Sequence, residues 1–188
     1  MEKEPLCQCV IPLHKPSKKE MIFFFASGIL LSIPFATFFE SLYPTQFSAA
    51  LLVVVLAPFV EELAKVFPLF YRHGETERSI VKLGLLIGLG FGIAEFLGYV
   101  VFLGVSPIAR VPGIIFHASS ATIIAYGIAK KKPFPYYLTA VALHVANNFV
   151  ALIGDIFFGV FAEIMILITV YLLAWRYYHQ ASKDKIVV

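Results

Sequence analysis

The sequence predicts an all-α polytopic membrane protein: about six transmembrane helices in one compact bundle, with both termini cytoplasmic. Three observations carry this expectation. First, the 188 residues are 60% hydrophobic and only 14% charged, with a mean hydropathy of +0.85, whereas soluble domains are nearer half apolar and a quarter charged. Second, six apolar stretches approach the roughly 20 residues that a helix needs to cross a hydrocarbon core of about 30 Å. Third, basic residues alternate with every crossing. Lys3, Lys15, Lys18 and Lys19 precede the first stretch; Arg72, Arg78 and Lys82 follow the second; Lys130, Lys131 and Lys132 follow the fourth; Arg176, Lys183 and Lys185 close the chain. The other connections carry only Arg110, and the positive-inside rule puts the basic side in the cytoplasm. The expected location is the cell membrane. A net charge of +3 is too small to suggest nucleic acid as a partner.

Residues 1–19 read as a cytoplasmic tail. Its two cysteines, Cys7 and Cys9, lie in "CQC" with His14 nearby. A reducing compartment argues against a structural disulfide, and two thiols one residue apart make a weak metal pattern. The transmembrane domain is expected over 20–178. Its first stretch, 20–39, is too long for a cleavable signal and five more follow it.

The second stretch, 46–71, contains "VLAPFVEELAKVFPLF". Lys65 lies four residues after Glu61 and three after Glu62, so it reaches either carboxylate along one helix face. The two glutamates are about 100° apart around a helix and cannot share one target. One is therefore left as a buried acid, the state wanted of a general base. Pro58 removes a helical hydrogen bond just before the pair, which kinks the span and opens room for water.

The third stretch, 80–104, carries Gly84, Gly88 and Gly92 at four-residue spacing, a smooth stripe for close helix approach. Glu95 follows that stripe and is expected to face the interior. The fourth, 109–129, places His117 among Gly113, Ser120 and Ala121; the fifth, 134–154, places His144 at helical spacing from Ala140, Asn148 and Ala151. An ionisable side chain within a membrane span marks a functional site by default, because its burial is costly unless it is paired or wet. Two histidines and two glutamate sites on four successive helices are expected to converge. In the sixth stretch, 156–178, Glu163 lies among bulky apolar residues and is expected to pair with Arg110 or to sit near the interface. A short cytoplasmic tail, 179–188, follows.

Glu95, His117 and His144 form a His₂Glu set, a known arrangement for catalytic zinc with one position left for water. Glu61 beside that water is the expected general base, and the metal would lower the water's pKa. Asn148, one turn from His144, is placed to donate to a developing oxyanion or orient a ligand. The implied chemistry is hydrolysis, plausibly of a peptide bond. Depths taken from the expected span edges leave Glu61 and His117 mismatched by on the order of 10 Å, a strain on this arrangement.

The order "EELAK", "FGIAE", a lone histidine on the fourth helix, then "HVANN" resembles the PrsW-type intramembrane proteases, relatives of the type II CAAX prenyl endopeptidases in the CPBP superfamily. The resemblance covers about 50–150. It implies that Glu61 activates water and that Glu62 is the partner held by Lys65, with Glu95, His117 and His144 completing the core and Asn148 (or Asn147) assisting. The prenyl endopeptidases carry EExxxR and FxxxH, whereas here a lysine comes one residue sooner and Phe91 is followed by Glu95. Both departures fit the PrsW branch and argue against a CAAX substrate. The resemblance further implies cleavage of a membrane-anchored protein. Two other classes remain open: a non-enzymatic scaffold or chaperone on the same fold, and a small ion-coupled transporter, which the absence of an evident repeat disfavours.

Overall fold

A computed structural model of the chain describes residues 14–43, 48–72, 75–153 and 156–187. Cys7 and Cys9 lie outside the described residues. The architecture is an all-α membrane bundle. Among the described residues, five helices are long and apolar enough to cross a membrane: Lys18–Ser41, Glu77–Phe102, Pro107–Ala129, Pro133–Ile153 and Phe158–Gln180. Large apolar side chains such as Phe102, Ile108 and Phe134 stand exposed on the outside, where lipid replaces water.

The first helix is α1 (Lys18–Ser27) running through a π-helical turn, Gly28–Ser32, into α2 (Ile33–Ser41). It starts at a capping box, in which Ser17 Oγ accepts from the Glu20 amide at 3.3 Å and Glu20 accepts from the Ser17 amide at 2.8 Å. Two donors that no helix can satisfy internally are thereby satisfied.

The second segment is the charged one, and it is helical in four parts. These are α3 (Ala49–Leu51), a π turn over Leu52–Leu56, α4 (Ala57–Val66) and a 3-10 turn over Phe67–Tyr71. It runs back along the first helix: Tyr43 donates to the Leu56 carbonyl at 2.9 Å near one end, and Arg72 meets Glu20 at 3.0 Å at the other. The π turn has a traceable cause. Ala57 N–H bonds back to the Leu52 carbonyl, so in that register the Val53 carbonyl would look to residue 58, which is proline and has no N–H. Asn148 Nδ2 donates to Val53 O at 3.0 Å instead.

The remaining spans are α5 (Glu77–Leu97), continued by a π turn over Gly98–Phe102, then α6 (Pro107–Ala129), α7 (Pro133–Ile153) and α8 (Ile156–Gln180). Helices α5 and α6 make the centre of the bundle. A Cβ at Gly88 would overlap the His117 carbonyl and come within 2.7 Å of the Ala121 Cβ. The glycine stripe therefore lets α6 approach close enough to place His117 opposite α5.

One end of the bundle is tied by charge and a short sheet. Strand β1 (Glu75–Thr76) pairs antiparallel with β2 (Ile186–Val187), Glu75 opposite Val187. Glu77, fully buried, accepts from Lys130 Nζ at 2.5 Å and from the Ser182 amide at 3.0 Å. Arg72 bridges Glu20 and Glu75. The start of α1, the second connection, the fourth connection and the residues after α8 thus share one end, the parity that six passes require.

This alignment removes the expected depth mismatch. From Tyr71 back to Glu61 the chain rises about 17 Å, because the 3-10 turn advances about 2 Å per residue. From Ala129 back to His117 it rises about 18 Å. The helices are aligned at their basic ends.

Candidate functional site

Six charged or titratable side chains from four helices form one hydrogen-bonded chain inside the bundle. Arg110 Nη2 donates to Glu95 Oε1 at 3.3 Å. Glu95 Oε2 lies 2.5 Å from His117 Nε2. Lys65 Nζ lies 2.7 Å from His117 Nδ1 and donates to Glu62 Oε1 at 2.6 Å. Glu62 Oε1 also accepts from Ser120 Oγ at 3.2 Å and faces His144 Nδ1 at 2.8 Å. His144 then presents Nε2 to Glu61 Oε2, at 3.8 Å.

The donors assign the tautomers. Lys65 is an ammonium with hydrogens only to give, so His117 Nδ1 accepts and its proton sits on Nε2, aimed at Glu95. Glu62 accepts from His144 Nδ1, which leaves His144 Nε2 with a lone pair facing Glu61. Every link but the last is within hydrogen-bonding distance, although Glu62 Oε2 and Arg110 Nε are buried without a partner among the described residues. Lys65 and Glu62 are both fully buried, and the Lys65 ammonium also lies 4.7 Å from the centre of the Phe91 ring. Phe116 packs against both imidazoles.

Glu61 is the odd member. Its side chain is 16% exposed, and its Oε2 is buried without a hydrogen-bond partner among the described residues. It lines a cavity of about 370 Å³ between α2, α4 and the outer part of α5, together with Glu40, Glu95 and Tyr99. With neutral histidines, three carboxylates (Glu61, Glu62, Glu95) face two cations (Lys65, Arg110). Glu61 is the one without a counter-ion.

The expected residues are therefore brought together; one pairing left open is fixed, and two other partners differ. Lys65 takes Glu62, not Glu61, in agreement with the pairing the resemblance implies. Asn148 was expected at an oxyanion; its amide donor is engaged by the Val53 carbonyl, because the π turn and Pro58 leave that carbonyl unfilled. Arg110 was one expected partner of Glu163; it is held instead by Glu95 and lies 3.6 Å from the centre of the Tyr99 ring.

The convergence of metal donors also differs from the expected Glu95, His117 and His144. The ligand atoms that lie within 4.8 Å of one another belong to Glu61, His117 and His144. This set fits a divalent transition ion in its donor types and in the unpartnered Glu61 oxygen. Glu62 on His144 Nδ1 is the kind of carboxylate that orients a metal-bound imidazole. His117 would have to exchange its Nε2 bond to Glu95 for the ion. A second group, His14, Glu20 and Glu75, lies at the tied end, where Arg72 already occupies both carboxylates.

Compared with family models, curated proteins and solved structures, the chain matches none.

Sequence reasoning missed Glu40. It sits in the last turn of α2, where a carboxylate reads as an interfacial residue, yet it lines the cavity with Glu61 and Glu95. The available signal was an acidic residue beside the non-basic first connection, on the side where Glu95 also falls.

Proposed function

We propose that the chain is an intramembrane endopeptidase of the PrsW type, in the cell membrane with its tied, basic end in the cytoplasm. The observation that carries this reading is the approach of Glu61 Oε2 to His144 Nε2, 3.8 Å apart, at a cavity wall, while Lys65 and Arg110 are taken by Glu62 and Glu95. A buried carboxylate left free beside an oriented imidazole is what a hydrolytic site needs and what a purely structural network has no use for.

The residues act as follows. A water within reach of both Glu61 Oε2 and His144 Nε2 loses a proton to Glu61 as its oxygen bonds to the scissile carbonyl carbon. The peptide C–N bond then breaks, and the proton held by Glu61 passes to the leaving amine nitrogen. Glu62 keeps His144 in one tautomer through Nδ1, and Lys65 neutralises Glu62 so that its charge does not compete for the proton. Glu95, held by Arg110, fixes the ring of His117 from the opposite side. If a divalent ion such as zinc binds, Glu61, His117 and His144 would hold it, and it would supply Lewis-acid polarisation of water and carbonyl.

The substrate on this reading is a membrane-anchored protein or peptide. The test is cleavage of membrane-anchored reporters in proteoliposomes by wild type and by Glu61→Gln. Cleavage abolished in a variant that still inserts and melts like wild type is the expected result; retained cleavage sinks the assignment.

The continuity of the Arg110–Glu95–His117–Lys65–Glu62 chain across three helices favours a second reading, a scaffold that uses the network to lock its helices. On that reading no reporter is hydrolysed, and His117→Ala or His144→Ala weakens assembly with a partner instead.

A further inference from the structure

The cavity beside Glu61 has a composition that the hydrolytic chemistry alone does not use. Its walls are apolar at Ile33, Ala36, Phe91 and Leu103, but three carboxylates, Glu40, Glu61 and Glu95, face it. Glu95 is taken by Arg110 and His117. Among the described residues, Glu40 Oε1, like Glu61 Oε2, is buried without a hydrogen-bond partner, and no ion pair there involves Glu40. Arg110, the cation beside Glu95, is spent on Glu95 and Tyr99. A buried carboxylate oxygen without a donor is costly, and burying it beside two more carboxylates adds repulsion.

The shape matches one kind of guest. At about 370 Å³ the cavity falls within the usual range for a specific pocket. Apolar walls suit the methylene stem of a long basic side chain, and the carboxylate at the far end suits its cationic head. Two features hold the pocket open. The π turn Gly98–Phe102 supplies Gly98, Tyr99 and Phe102 to one wall, and the end of α2 supplies Thr37 and Glu40 to the other.

We propose that this cavity is a binding subsite for a lysine or arginine side chain of a membrane-embedded peptide, with Glu40 as its charge-recognising residue. The subsite rests on the peptidase reading for the nature of its guest. It makes Glu40 a specificity determinant: the cationic head meets Glu40 while the neighbouring backbone lies against Glu61. Discrimination follows from the penalty on the alternative, since a neutral side chain in this cavity leaves the Glu40 oxygen unpaired.

The test uses two synthetic transmembrane peptides of about 20 apolar residues. One carries a single lysine near its end; its twin has norleucine there. The backbone amides around that position are N-methylated so that neither is hydrolysed. Binding to the full chain in lipid nanodiscs is expected to favour the lysine peptide by about tenfold or more, the ratio a single charge-assisted contact supports. Glu40→Gln is expected to erase that preference and Glu163→Gln to keep it. Glu40→Lys is expected to favour a third peptide with glutamate at the same place, which guards against a variant that simply misfolds. Equal binding of the lysine and norleucine peptides by wild type, or a lysine preference that survives Glu40→Gln, overturns the subsite. The unmethylated lysine peptide separates the two ideas. Its resistance to hydrolysis despite Glu40-dependent binding removes the peptidase reading and leaves the subsite. Its hydrolysis with no lysine preference does the reverse.

Discussion

The side-chain amide of Asn148 donates to the backbone carbonyl of Val53 at 3.0 Å, joining α7 to the π turn that precedes the Glu61–Glu62 pair. Tyr43 on Leu56, Tyr137 on Phe59 and Ser32 on Ala64 do the same for other carbonyls of this segment. The most irregular helix in the bundle is thus held by donors from its neighbours, as backbone at membrane depth must be.

Asn148→Ala is therefore expected to lower stability by about 1–3 kcal/mol, the cost of an unsatisfied carbonyl, read as a shift in the unfolding midpoint in mild detergent. An unchanged midpoint together with lost hydrolysis would instead place Asn148 at the reacting carbonyl.

Lys65 and Glu62 form an ion pair with no exposure on either side. Removing one partner strands a charge, so Lys65→Met is expected to cost about 3–5 kcal/mol. The double variant Lys65→Met with Glu62→Leu is expected to recover part of that loss, measured by the same unfolding assay. A double variant as unstable as the sum of the two singles would show that Ser120 and His144, not Lys65, are the main partners of Glu62.

Metal analysis of purified protein separates the two donor sets. One divalent ion per chain that is lost in Glu61→Gln and His144→Ala but kept in Glu95→Gln assigns it to the converging group. Loss in Glu95→Gln with retention in Glu61→Gln assigns it to the set expected from sequence. An active protein without metal leaves Glu61 as an unassisted base.

Gly88→Val is expected to disturb the site without touching any polar atom. The added side chain meets the His117 carbonyl and the Ala121 Cβ, so α6 must retreat and carry His117 away from Lys65 and Glu95. Overpacking of this kind costs about 1–3 kcal/mol. The checking measurement is an engineered cysteine cross-link between α5 and α6, expected to form more slowly than in the parent; an unchanged rate would show that the helices do not move.

Much of this was readable beforehand, for definite reasons. The helix lengths follow from bilayer thickness, and the inward placement of Glu95 and His117 follows from the glycine and alanine faces beside them. Pro58 announced a break but not its form, because whether a helix kinks or widens to a π turn depends on which neighbour fills the freed carbonyl, and Asn148 is 95 residues away from Val53. The burial of Glu77 has no local signal in the sequence, because it comes from chain that returns much later. The choice of Lys65 between two carboxylates was likewise open until Ser120 and His144 were seen on the same oxygen of Glu62.

The tied end of the bundle sets an order of events during synthesis. Glu77 meets Lys130 and the amide of Ser182, 53 and 105 residues further on. At the usual elongation rate of 5–20 residues per second, the later of these donors emerges about 5–20 s after Glu77 itself. Until then that carboxylate belongs at the headgroup boundary, in contact with water. The helices can be threaded one after another, but the clasp at this end closes only as residues 182–187 arrive, so completion of the bundle is registered by its final strand.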